Sequence, residues 1–170
     1  MSNKKIKNAT VVEDCDIKFK SKLEASMYKW LIEEGFNPLY EPYTFVIWEG
    51  FKPTIPFYDK DKHTRMLKLN LAKVISIKYT PDFFFIYNKL RVFIEAKGQE
   101  NDVFYIKKKL FRKYLEKVKK EKGISSIYFE IFTKKQLLEA LEIIKNYKIE
   151  EEEKKEDGEE ETQSNKLECF

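Results

Sequence analysis

The sequence predicts an α/β fold in which a mixed sheet is flanked by helices, in the order α-β-β-β-α-β-α. Three observations carry this. Two Ser/Thr-x-x-Glu/Gln capping boxes each open an apolar stripe at helical spacing. Between them lie short runs rich in aromatic and β-branched residues. Hydrophobic residues make up 42% and aromatic residues 15% of 170 residues, which suffices for the core of one domain.

Taken in order, residues 1–18 are polar with little periodicity and read as a flexible segment. Ser21 and Glu24 form the first capping box, Leu23, Met27, Trp30 and Leu31 recur at helical spacing, and Gly35 marks the stop. Tyr43 to Trp48 reads as a strand. Residues 49–73 hold Gly50, Pro53, Pro56 and a charged stretch, and read as an irregular insertion with room for a hairpin. Val74 to Tyr87 reads as one or two strand pieces interrupted by Pro81, and Leu90 to Lys97 as a further strand ended by Gly98. Asp102 is the expected cap of a second long helix with Ile106, Leu110, Phe111, Tyr114 and Val118 on its buried stripe and Gly123 after it. Ile127 to Phe132 reads as a strand. Thr133 and Gln136 open the last helix, to about Lys148. The expected core domain is 19–149. Residues 150–170 are almost wholly charged or polar, cannot bury enough surface to offset their ordering entropy, and read as a disordered acidic tail.

Charge divides along the chain. Of 33 Lys and Arg and 29 Asp and Glu, residues 150–170 hold 3 and 10, a net −7; residues 1–149 hold 30 and 19, a net +11. A basic body suits a polyanionic partner, since Lys and Arg displace counterions from phosphates; the alternative is a merely soluble Lys-rich surface. Nine bases between Lys107 and Lys122, among them Lys107, Lys108, Arg112 and Lys113, face only two acids, Glu116 and Glu121, and are candidates for phosphate contact. Most of Tyr79, Phe83, Phe85, Tyr105 and Tyr128 are expected in the core, and His63 at the surface. For the tail two readings stand open: a solubilising extension, or a DNA mimic that competes for the basic surface.

Several classes are excluded. Cys15 and Cys169 alone support neither a disulfide framework nor a Cys-based zinc site, and the lone His63 rules out a His-cluster metal site. No apolar run approaches the ~20 residues that span a bilayer. Met1 to Lys7 is basic without an apolar stretch, so no signal peptide is expected, and the setting should be intracellular.

The chemistry is carried by Tyr79-Thr80-Pro81-Asp82-Phe83 and Phe93-Ile94-Glu95-Ala96-Lys97-Gly98. If Asn88-Lys89 is a two-residue hairpin loop, Tyr87 faces Leu90 and Asp82 falls opposite Glu95. Lys97 then shares the face of Glu95. Two carboxylates so placed among apolar strands repel unless a cation lies between them. Carboxylates with a backbone carbonyl suit Mg²⁺ or Mn²⁺. Lys97 could orient a water or stabilise charge developing on a phosphate. On a basic body this points to phosphodiester hydrolysis. The plainer alternative is an ion pair of Lys97 with Glu95 or Asp82 at a strand end.

Pro81-Asp82 followed by Glu95-Ala96-Lys97 resembles the signature of the PD-(D/E)XK nuclease superfamily. With Leu23-Glu24 on an early helix ending near Gly35, Tyr79 to Phe83, and Glu95 to Gly98 leading into a basic helix, the chain is most similar to the phage endonuclease I branch, the Holliday-junction resolving enzymes. The resemblance spans roughly residues 19–132. It implies a restriction-endonuclease-like core and a Mg²⁺- or Mn²⁺-dependent endodeoxyribonuclease acting on branched DNA as a homodimer, with phage origin and action in the host cytoplasm. Cleavage would leave a 5′-phosphate and a 3′-hydroxyl. Asp82, Glu95 and the Ala96 carbonyl would hold the metal, Glu24 would help hold a second, and Lys97 would assist the water and the scissile phosphate. Position N3 of a capping box accounts for Glu24 equally well. The insertion at about 49–73 looks longer than in that branch and leaves substrate choice open. Other readings are a restriction, repair or transposon-end nuclease on linear duplex, or a non-catalytic DNA-binding module.

Overall fold

The computed structural model describes residues 12–14, 17–98 and 101–147. In chain order these form β1 (Val12–Asp14), β2 (Ile17–Phe19), α1 (Lys22–Glu33), β3 (Leu39–Tyr40), β4 (Phe45–Trp48), β5 (Tyr58–Lys60), β6 (Leu67–Leu69), β7 (Ile77–Tyr79), β8 (Phe83–Tyr87), β9 (Leu90–Ala96), α2 (Asp102–Lys122), β10 (Ser126–Ile131) and a final helix α3 over 134–147. The class is α/β, with a mixed sheet flanked by helices. Residues 150–170, expected to be a disordered tail, lie outside the described residues.

The chain gathers into two compact units. Among the described residues, one comprises 12–14, 17–40, 82–98 and 125–147; the other comprises 41–81 and 101–124. The sequence reading groups residues 19–149 as one domain with an insertion at about 49–73. Both units draw on separated stretches of chain, which local patterns do not reveal.

The first unit is built on the sheet β10-β9-β8-β3, in which β10 runs parallel to β9 and the other pairs are antiparallel. The β8–β9 turn is the two-residue loop Asn88-Lys89, and both residues have positive φ (48° and 69°). That backbone twist matches the twist of the flanking strands and pins the register to Tyr87 opposite Leu90 and Phe83 opposite Ile94. Alternation then sends Phe83, Phe85, Val92, Ile94 and Ile131 to one face, where they pack with Met27 and Leu31 of α1 and Leu137, Leu141 and Ile144 of α3. All ten are buried. The opposite face carries Phe84 and Phe93, register partners with ring centroids 5.1 Å apart.

Both capping boxes form. In α1 the Ser21 hydroxyl accepts from Glu24 N at 3.2 Å; before α3, Thr133 accepts from Gln136 N at 3.3 Å while Gln136 accepts from Phe132 N at 2.8 Å. At the far end of α1, Gly35 N donates to Ile32 O (3.0 Å) and Phe36 N to Leu31 O (2.9 Å), with Gly35 at φ 81°. This is a Schellman motif, whose left-handed residue is glycine because a Cβ would be strained there. It also turns Phe36 back onto Leu31 in the core.

Two elements of this unit differ from the sequence expectation. Residues 12–14 and 17–19 pair as an antiparallel ladder, partly inside the segment expected to be flexible. Phe19 is fully buried, with its ring 5.3 Å from Tyr28 and 4.8 Å from Tyr40. Leu39–Tyr40 is a further short strand on the sheet edge.

In the second unit β4 pairs with β7, and Phe111 of α2 lies with its ring 4.8 Å from Tyr79 and 5.4 Å from Phe45. The insertion contains the hairpin β5–β6. Its turn is held by Asp61, which accepts from His63 N and Thr64 N, each at 2.9 Å. Those bonds, Thr64 first, hold the Asp61 carboxyl below its ordinary value. His63 is exposed, as expected. The cap of α2 is Asn101 rather than Asp102; its side chain accepts from Phe104 N at 2.8 Å. The buried residues of α2 are Phe104 and Phe111, whereas Ile106 is 56% exposed. The apolar stripe therefore runs through Phe104 instead of Ile106.

Candidate active site

Asp82, Glu95, Ala96, Lys97 and Glu24 all belong to the first unit. Asp82 lies at a bend immediately before β8, next to the last pair of the ladder, Phe83 opposite Ile94, and Glu95 follows Ile94 on β9. The two-residue loop on which the expected facing arrangement depends is present, and the ladder ends one residue short of that pair. Asp82 is 9% and Glu95 6% exposed. The register of β10 places Glu130 beside Glu95 on the parallel strand, so a third carboxylate joins the same row of the sheet. Sequence reasoning missed Glu130, since nothing local reveals which residue of a crossover strand will align.

Asp82 Oδ2 accepts from Ala96 N at 2.8 Å. The carboxylate thus replaces a sheet hydrogen bond at the point where the ladder ends. Burial pushes the Asp82 carboxyl well above its ordinary value of 3.8, and the negative charges of Glu95 and then Glu24 push it further; the Ala96 N–H and Lys97 offset this only in part. Lys97 Nζ lies 2.7 Å from Glu95 Oε1, with side-chain exposures of 15% and 8%. The Lys97 backbone N–H donates to Ile131 O at 2.9 Å, which anchors the residue to β10. The ion pair considered for Lys97 is thus present with Glu95. It accounts for two of the three charges and leaves Asp82 buried beside like charge.

Glu24 is 8% exposed at position N3 of α1. Its Oε1 accepts from Ser21 Oγ at 2.7 Å, and its Oε2 accepts from Lys20 N at 3.0 Å and from the Tyr40 hydroxyl. Of the two roles considered for Glu24, the helix cap is present; its negative charge also contributes to raising the Asp82 carboxyl.

The donors available to a cation are carboxylate oxygens and a strand-end carbonyl, the set that hard divalent cations take. Asp82 Oδ1 accepts no hydrogen bond among the described residues, so a lone-pair position is open on this buried acid. Among the described residues no three His, Cys, Asp or Glu side chains are grouped so as to hold a metal ion by themselves. A cation here would therefore rest on two carboxylates completed by backbone and water oxygens, a pattern that suits Mg²⁺, which keeps several waters.

Lys107, Lys108, Arg112 and Lys113 lie on α2 in the second unit. Arg112 and Lys113 are exposed, and Lys107 and Lys108 half-buried. Lys108 and Lys109 place their ammonium groups 5.3 and 4.1 Å from the ring centre of Tyr105, which is 49% exposed. Tyr79, Phe83 and Phe85 are buried as expected, Tyr128 is half-buried and Tyr105 is exposed. No described helix is long and apolar enough to cross a membrane. No family model matches the chain, and comparison with curated proteins and with solved structures finds no match.

Proposed function

We propose that this protein is a Mg²⁺- or Mn²⁺-dependent endodeoxyribonuclease of the PD-(D/E)XK type with a restriction-endonuclease-like core, acting on branched DNA as a homodimer. The observation that carries the reading is the pair Asp82 and Glu95, both buried at the end of the β8–β9 ladder, with Lys97 two residues on. Two buried acids side by side cost stability, and Lys97 with the Ala96 N–H offsets the cost at Asp82 only in part.

Asp82, Glu95 and the Ala96 carbonyl would hold the cation, and Glu24 would support a second. When bound, the cation supplies charge neutralisation at the phosphate and a water acidic enough to attack it. Lys97 presents a positive charge that can leave Glu95 for the phosphate as charge develops there, a preorganised contact in a water-poor site. The α2 bases grip the backbone without reading sequence. The products would be a 5′-phosphate and a 3′-hydroxyl.

The test is cleavage of four-way junction, nicked and linear DNA with Mg²⁺ or Mn²⁺ by the wild type, Asp82→Ala and Lys97→Ala. We expect junction cleavage that falls by about 10²-fold or more in each variant. Cleavage retained by both variants would remove the site assignment. A preference for linear duplex would favour a restriction, repair or transposon-end enzyme. A second reading, a non-catalytic DNA-binding module, is favoured by the closed Lys97–Glu95 pair and by the lack of a three-ligand group among the described residues. Tight binding without cleavage under either metal would select it.

A further inference from the structure

The hairpin β5–β6 presents side chains to solvent on both of its faces. All of β6 is exposed, as are Tyr58 and Lys60 of β5. A two-stranded hairpin left so bare is marginal in water, yet this one is firmly closed. Beyond its three ladder pairs, Asn70 N donates to Phe57 O at 2.7 Å and Asp61 N to Met66 O at 2.9 Å. Across the turn, Asp61 Oδ1 also takes the Thr64 hydroxyl at 3.2 Å, and Thr64 Oγ1 accepts from Met66 N at 3.3 Å. The tip therefore has a defined shape.

The same bonds sort the charge. Residues 58–69 hold four bases, Lys60, Lys62, Arg65 and Lys68, and two acids, Asp59 and Asp61, a net +2. All four bases are exposed, whereas both acids are half-buried. Asp59 Oδ2 accepts from Asn70 Nδ2 at 2.8 Å, and Asp61 is taken up by the turn. The Asp61–Lys68 pair, at 3.7 Å with the Lys68 side chain 70% exposed, neutralises little. Arg65 sits at φ 61°, where side chains other than glycine are disfavoured, so the turn alone does not call for an arginine. Among these cations stand Met66, 70% exposed, and Leu67, 77% exposed.

Cations around a pair of bare apolar side chains fit a partner that is anionic outside and apolar within. Nucleic acid has that construction. A two-stranded β-ribbon fits the major groove, and apolar side chains enter where base steps come apart. A second copy of the chain fits less well, because it brings the same net +2 to the contact. We propose that the hairpin β5–β6 is a docking arm for branched DNA. Lys60, Lys62, Arg65 and Lys68 take phosphates along a groove, and Met66 and Leu67 lie against base faces left unstacked at the branch. The inference rests on the DNA reading of this protein and is independent of its metal site.

The test is fluorescence anisotropy of the full chain with four-way junction and linear duplex DNA, in chelator so that neither is cut. The proteins are wild type, Lys62→Gln/Arg65→Asn and Met66→Thr/Leu67→Thr. All four positions are exposed, so melting temperatures should hold. The charge variant is expected to weaken binding to both DNAs and to lower the log–log salt slope by about 1.8. The apolar variant is expected to weaken junction binding about 10-fold. Its linear-duplex affinity, its salt slope and its mass in sedimentation should stay those of the wild type. An unchanged salt slope in the charge variant would overturn the inference. So would an apolar variant that weakens both DNAs equally, or neither. Junction binding lost together with a fall in sedimenting mass would also overturn it and assign the hairpin to a contact between copies. Failure of the wild type to bind either DNA would overturn both the inference and the DNA reading beneath it.

Discussion

Asp82 is where stability and proposed function pull apart. Its carboxyl is held well above 3.8 by burial and by two neighbouring acids. A raised value in the folded protein means that the fold binds this proton more tightly than the unfolded chain. The side chain therefore costs nothing when protonated, below the ordinary carboxylate value. The cost grows as pH rises past that value and is complete above the raised one. In a metal-free buffer Asp82→Asn should thus stabilise the protein at neutral pH, by about 1 kcal/mol, the lower end for replacing a buried charge. The gain should vanish as pH falls below 3.8. Thermal melts in chelator across that range, paired with cleavage assays, check both halves; the variant should be more stable and inactive. Equal stability of the two proteins at neutral pH would mean that Asp82 is not under the strain its surroundings imply. At this scale the β8–β9 register that brings Asp82 and Glu95 to one end of the ladder was legible because Asn88-Lys89 reads as a tight turn and side-chain alternation does the rest. The Tyr40–Glu24 bond and the Glu130–Glu95 alignment were not, since each joins residues through a strand pairing with no local mark.

Elements were legible in proportion to their length and their caps. α1 begins at Ser21 and ends in the turn of Gly35, and β8, β9 and β10 fall within a residue or two of the expected bounds. The misses are short. Three residues in β1 and β2 and two in β3 cannot display a period of two, and Phe19 looks like any aromatic residue in a polar stretch. In α2 a choice between Phe104 and Ile106 shifts the stripe by half a turn, and the packing of Phe104 near Tyr79 (6.4 Å) decides it. The insertion was readable as irregular but not in its constraint. Gly50 passes so close to the neighbouring chain that a Cβ would lie 2.5 Å from Val74 O and 2.7 Å from Ser76 N. Both are backbone atoms, and Phe51 and Val74 exchange two hydrogen bonds of 2.9 Å beside them, so the chain cannot yield cheaply. Gly50→Ala should destabilise the second unit by about 1–3 kcal/mol. Denaturant melts followed by Trp48 fluorescence measure this; a change under about 0.5 kcal/mol, the range of ordinary surface substitutions, would show that the approach relaxes.

For the whole molecule the governing quantity is charge, because shape complementarity with a polyanion matters less than counterion release. The net +11 of residues 1–149 is spread along the chain, yet α2 concentrates nine bases against three acids, and its cation–aromatic pairs hold Lys108 and Lys109 over Tyr105. Bases that serve only to grip phosphates should alter affinity without altering the chemical step. Replacing Lys107, Lys108, Arg112 and Lys113 together by Ala should weaken binding to junction and linear DNA by similar factors. The log–log salt slope should shrink by about 0.9 for each phosphate left without its base, approaching about 3.6 if each of the four neutralises one. None of the four is buried, so melting temperature should hardly move. Single-turnover cleavage at saturating DNA should also stay near the wild-type rate, which separates this variant from Lys97→Ala, where the rate itself is lost. Fluorescence anisotropy against salt, followed by single-turnover cleavage, gives both numbers on one preparation. An unchanged salt slope would assign these lysines to solvation of the helix and move the DNA-binding surface elsewhere on the basic body.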